Sequence, residues 1–203
     1  MIKDTPLKTK TSRSRILLAA KQSFAEKGLH ATTMADIAAR AGLSRATVFN
    51  QFGGKDNIID ELAAEILDDY LQLLEQANKS KNQTTKQILQ NLLRQIGESI
   101  AMYRRFYKSM YPEVARAALG IGIHKESKEM RWLTHDRLSR LILRGQAQGE
   151  LKNRHDAETM ATAFDSLIFG TVSRWLQRES EDENLVDLLR QTGDVLLDGF
   201  VND

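Results

Sequence analysis

The chain has 203 residues, 41% hydrophobic and 28% charged, with no cysteine and two prolines. That composition suits a globular chain with enough apolar surface for a core, and it excludes disulfides, thiolate metal sites and cysteine nucleophiles. The net charge of +2 hides an asymmetry. Residues 1–55 hold ten Lys/Arg against three Asp/Glu and the remainder hold 19 against 24, so a basic N-terminal part, suited to a polyanionic partner, precedes an acidic one.

Apolar residues recur at helical spacing nearly throughout, and no long alternating segment occurs, so the fold class is all-α. A first helix is predicted from Ser12 to Lys27, with Ile16, Ala19, Ala20 and Phe24 on one face and Gly28 closing it. Thr32 or Thr33 opens a short second helix, with Asp36 three residues after Thr33 in a capping-box spacing. Gly42 stops that helix, and Ser44 caps a third that runs to about Asn50. After Gly53-Gly54 a long fourth helix runs from about Lys55 to Asn78. A fifth is predicted through Tyr111, a short one starting at Pro112, and three more over about 125–148, 156–178 and 182–200, about nine in all. The main boundary falls near Lys55, after three short helices; with the linking helix included, the head spans 10–70 and the helical body 71–203.

No run approaches about 18 apolar residues, so no membrane span is expected. The start "MIKDTPLKTKTSRSR" lacks the apolar stretch of a secretory signal, which points to the cytoplasm. Four histidines are scattered, and there is no His-Glu-x-x-His, no Gly-x-Ser-x-Gly and no phosphate-binding glycine loop. No metal, no cofactor and no enzymatic activity are therefore expected.

A helix, a short glycine turn and a second helix form the helix-turn-helix pattern, whose second helix presents its first residues to base edges in the major groove. Here those residues are Ser44, Arg45, Ala46 and Thr47, with Asn50 and Gln51 one turn on. Arg pairs with guanine, Asn or Gln with adenine, and Ala or the Thr methyl meets the thymine methyl. Val48 and Phe52 lie at i and i+4, and are assigned to a small core with Phe24, Ile37 and Ala41. Lys3, Lys8, Lys10, Arg13 and Arg15 are candidates for further backbone or minor-groove contacts. A helical module whose basic head docks on a protein partner, with no operator, fits the same charge pattern.

The run "SRILLAAKQSFAEKGLHATTMADIAARAGLSRATVFNQFGGKDNII" resembles the DNA-binding head of the TetR family of transcriptional regulators, over roughly Ser12 to Tyr70. The resemblance rests on Ile16 to Phe24, Gly28, Thr33, Asp36-Ile37-Ala38, Ala41-Gly42, Ser44, Thr47, Phe52 and Lys55. It implies a homodimeric repressor that binds a pseudo-palindromic double-stranded DNA operator and is released by a small-molecule effector; an activator or an effector-independent regulator would share the same head. It also implies phosphate contacts from Thr33 and Lys55. The family usually carries at position 49 a tyrosine whose hydroxyl binds phosphate, a bond that Phe49 cannot make, and Asn50 and Gln51 depart from the usual residues at their positions.

In the body the resemblance implies dimerisation through the last two helices, here Ala161, Phe164, Leu167, Thr171 and Trp175 with Leu188, Leu189, Thr192, Val195 and Leu196. "GQAQGEL", residues 145–151, resembles the turn before the first of them. The aromatic and methionine stripe of Met102, Tyr103, Phe106, Tyr107 and Met110, with Met130, Leu133, Phe164 and Ile168, is the candidate effector pocket. Plain core packing explains the same stripe.

Overall fold

The computed structural model describes residues 11–80, 82–118, 125–178 and 183–201. Among them the fold is all-α. α1 (Ser12–Lys27), α2 (Met34–Ala41), α3 (Arg45–Phe52) and α4 (Lys55–Lys79) are followed by α5 (Thr85–Met102), α6 (Arg104–Ala118), α7 (Lys125–Ala147), α8 (Ala157–Gln177) and α9 (Leu185–Phe200). An antiparallel bridge joins Leu151 to Val201. No helix among the described residues is long and apolar enough to cross a membrane.

One element boundary differs from expectation. The helix predicted through Tyr111 breaks at Tyr103, and Pro112 lies inside α6 instead of starting a helix. Proline removes one helical hydrogen bond and has φ near the helical value. Pro112 and Lys108 are both exposed, so the unpaired carbonyl lies on the solvent side of α6.

The chain divides into two compact units, residues 1–66 with 103–127, and residues 67–102 with 128–203. The expected boundary at 70 falls within α4, and α6, expected in the body, groups with the first unit because its apolar face packs on α1.

In the first unit α1 packs on α2 and α6, and α2 on α3. Ile16, Phe24, Ile37, Val48, Ile58 and Leu62 are fully buried there, and Ala41 and Phe52 nearly so. The small core predicted from Phe24, Ile37, Ala41, Val48 and Phe52 is thus present. Phe106, Tyr107, Met110 and Val114 of α6 are buried in the same unit.

In the second unit α9 packs on α5 and α8. Glycine permits two close approaches. A Cβ at Gly145 would stand 2.6 Å from Thr85 Oγ1 and 2.9 Å from Thr85 Cβ, and one at Gly193 would stand 2.3 Å from Leu93 Cδ1. Lys86–Asp198 and Gln90–Asp194, each 2.8 Å, add polar links between α5 and α9. The turn after α7 is organised by buried Gln146, whose amide donates to the Lys152 and His155 carbonyls.

Candidate nucleic-acid interface

The two short helices are defined by their ends. Thr33 is the N-cap of α2: its hydroxyl accepts from the Asp36 N–H, and the Asp36 carboxylate accepts from the Thr33 N–H at 2.9 Å, a complete capping box. Lys27, 2.6 Å away, contributes most to holding the Asp36 carboxyl well below the usual carboxylate range, followed by the Thr33 hydroxyl and N–H. Thr32, the alternative cap, is buried instead, and its hydroxyl donates within the turn, 2.8 Å from the Gly28 carbonyl.

Gly42 ends α2 with φ +64° and ψ +38°. Its N–H donates to the Ala39 carbonyl and that of Leu43 donates to Ala38, the paired bonds of a Schellman motif. Arg15 fastens the turn from α1, donating to the Ala41 carbonyl at 2.6 Å. Ser44 then caps α3, accepting from the Thr47 N–H at 3.0 Å. An eight-residue helix, about 12 Å long, is therefore held at both ends and along one side.

Its two faces are distinct. Val48 and Phe52 face the core, whereas Arg45, Ala46, Phe49, Asn50 and the following Gly53 are exposed. These positions fall at i, i+1, i+4, i+5 and i+8, one stripe along the helix. Phe49 exposes 60% of its surface. Ser44 is exposed, and Thr47 and Gln51 are half-buried. The Ser44 and Thr47 hydroxyls lie 2.8 Å apart and engage each other. Thr33 is exposed at the start of α2.

The cations sort sharply. Arg13 pairs with Glu61, lies over the Phe52 ring at 4.4 Å and donates to the Gln51 carbonyl. Lys21 pairs with Glu65, Lys27 with Asp36 and Arg40 with Glu26. Lys55 donates from Nζ to the Leu29 carbonyl at 3.0 Å and the Thr32 carbonyl at 3.1 Å, tying the loop before α2 to the start of α4. Arg45 alone among the described cations up to residue 55 makes no hydrogen bond or ion pair with a described residue, and the Asn50 side chain makes none either.

Arg13 and Arg15, candidates for backbone or minor-groove contacts, are engaged as fasteners of the fold. Lys3, Lys8 and Lys10 lie outside the described residues. The Lys55 ammonium, expected on phosphate, already serves two carbonyls, and its place at the first turn of α4 is where helix N–H groups favour an anion. Charge counting along the sequence could not separate fasteners from free cations, because their partners are carboxylates and carbonyls far along the chain.

The expected effector residues fall in both units. Phe106, Tyr107 and Met110 are buried in the first and Tyr103 is half-buried there. In the second, Phe164 is fully buried, Leu133 and Ile168 are half-buried, and Met102, at the end of α5, is 72% exposed. The Met130 side chain lies outside the described residues. A groove of about 230 Å³ in the second unit is lined by other residues, including Leu73, Gln76, Ile88, Asn91 and Gln95. Nearby in sequence, the Tyr70 hydroxyl donates to Asp165, 2.9 Å away, and His135 meets the other oxygen of the same carboxylate.

Of the expected dimer residues, Ala161, Phe164 and Leu189 are fully buried within one chain, and Thr171 and Trp175 nearly so. Those five side chains belong to the chain's own core. Leu167, Leu188, Thr192 and Leu196 are half-buried, and Val195 is 80% exposed.

Residues 16–62 match the family described as bacterial regulatory proteins, tetR family. The chain is 22% identical over 179 residues to the HTH-type transcriptional regulator TtgR of Pseudomonas putida, covering 87% of this chain and 85% of that one. It is 33% identical over 89 residues to the HTH-type transcriptional repressor KstR2 of Mycolicibacterium smegmatis, 42% of this chain and 43% of the relative. Among solved structures, the regulator FadR of Bacillus subtilis, in complex with stearoyl-CoA, superposes with a TM-score of 0.75 at 21% identity, covering 92% of this chain and 98% of that one. With their capped helix-turn-helix, residues 16–62 form a DNA-binding domain of the TetR family, and the chain is similar over most of its length to HTH-type transcriptional regulators.

Proposed function

We propose that this regulator is a cytoplasmic homodimeric repressor, that two copies of α3 read the half-sites of a pseudo-palindromic operator, and that a small-molecule effector releases it. The observation that carries the reading is the exposed stripe of α3, in which Arg45 and Asn50 are uncommitted while the cations around them are bonded. Arg and Asn are the side chains that pair bidentately with guanine and adenine. One short helix reads few base pairs, so a two-fold pair on successive major grooves supplies the required specificity.

The dimer is supported by α8 and α9. Leu167, Leu188 and Leu196 are left half-buried by one chain and Val195 almost wholly exposed, which suits an isologous contact between the two helices and their copies. The effector is supported by relatives: FadR binds stearoyl-CoA, which makes long apolar acyl compounds the first class to test. Any effector acts by binding one conformation better than the other.

Sedimentation of Val195→Asp tests the dimer. Two-fold symmetry places two unpaired charges in the interface, so dissociation rises by at least roughly 100-fold, while an exposed site leaves the monomer folded. A dimer unaffected by this change refutes the α8–α9 interface.

A further inference from the structure

We infer that Phe49 is a specificity-determining residue that reads the 5-methyl group of a thymine in each operator half-site. The inference rests on the reading of α3 as the recognition helix. An aromatic ring 60% exposed on an eight-residue helix gains free energy from a partner that covers it. On α3 the ring sits in the middle of the exposed stripe, three residues after Ala46 and four after Arg45, with Asn50 beside it. Residues three or four apart on a helix are surface neighbours, so Ala46 and Phe49 form a small apolar patch flanked by the two side chains suited to base hydrogen bonds.

In the major groove the apolar feature of a base edge is the thymine methyl, and phenylalanine is among the side chains that meet it. Phosphate offers the ring nothing, since the ring has no donor. The core offers it no place, because Val48 and Phe52 already occupy the buried side of α3. The occupant that matches this patch is therefore a base pair carrying a methyl, placed between the pairs read by Arg45 and Asn50.

The test uses the full-length protein and an operator selected from random duplex DNA. Each half-site thymine is replaced in turn by deoxyuridine, which removes only the methyl. Burying one methyl is worth about 0.8 kcal/mol, or roughly fourfold in affinity, so replacement in both half-sites at once costs about 15-fold. At one symmetric position the wild type shows this loss, Phe49→Ala shows none, and Phe49→Tyr, which keeps the ring, retains it. If no position distinguishes wild type from Phe49→Ala, or if Phe49→Ala loses affinity equally for all sequences, the proposal is overturned while the operator reading stands. If the wild type selects no common sequence, the operator reading fails and this inference with it.

Discussion

The first unit and the second are both helical, yet different physics sets their geometry. In the first, α2 and α3 are eight residues each, too short to persist in isolation. They are fixed by local devices: a capping box at Thr33, a Schellman turn at Gly42, a serine cap at Ser44 and a left-handed glycine at Gly53. In the second, the helices are longer, and their approach is set by side-chain volume, as at Gly145 against Thr85 and Gly193 against Leu93. Short capped helices hold a reading face in a defined orientation. Long helices separated by side-chain contacts can vary their surfaces provided the volumes still fit. That contrast fits a family match confined to 16–62 in a chain about one residue in five identical to its relatives over most of its length.

Gly145→Ala tests the packing side of the contrast and carries the largest expected effect. The new Cβ would overlap the buried, β-branched Thr85. A clash of about 3 kcal/mol, offset by about 1 kcal/mol of helix propensity, leaves a loss of about 2 kcal/mol in denaturant unfolding. An unchanged midpoint would show that packing at this contact is loose.

Gly42→Ala tests the local side. The positive φ there costs a residue with a Cβ about 1 kcal/mol, and the Cβ would lie 3.1 Å from Arg15 Nη2, disturbing the bond that fastens the turn. Stability falls modestly, and operator affinity falls by more than the stability change, because the orientation of α3 is altered. Equal losses in both would separate the turn from the reading of DNA.

The smallest effect concerns acid. The depressed Asp36 carboxyl stabilises the fold fully above its ordinary unfolded value, and that contribution is lost as pH falls below about 4 toward its folded value. Asp36→Asn therefore melts below wild type at neutral pH, and the gap closes as the solution is acidified. A gap independent of pH would show that the capping box does not depend on charge.

Much of the head was legible in the sequence because its signals are local. Thr33 with Asp36, Gly42, Ser44 and Gly53 sit within four residues of what they cap, and Val48 and Phe52 follow from helical spacing. What escaped was tertiary. Arg13 and Arg15 read as a basic arm, because their partners Glu61 and the Ala41 carbonyl lie 48 and 26 residues away. Nothing near Lys55 in the sequence revealed its bonds to the Leu29 and Thr32 carbonyls. Sequence alone puts the helix break at Pro112 and not at Tyr103, since proline is the stronger local signal even where an exposed helix side tolerates it. In the body the apolar stripe was visible, but which side chains one chain buries for itself, as with Phe164 and Leu189, depends on packing that periodicity does not encode.

If α3 reads bases through side chains left uncommitted by the fold, Arg45 is foremost among them. Operator selection from random duplex DNA by wild type and by Arg45→Ala tests it most directly. Wild type is expected to select a two-fold symmetric site, and Arg45→Ala to relax preference at one position per half-site, with a loss there of about 1–3 kcal/mol. The same base preferences in both proteins, with affinity lowered evenly across all sequences, would contradict it.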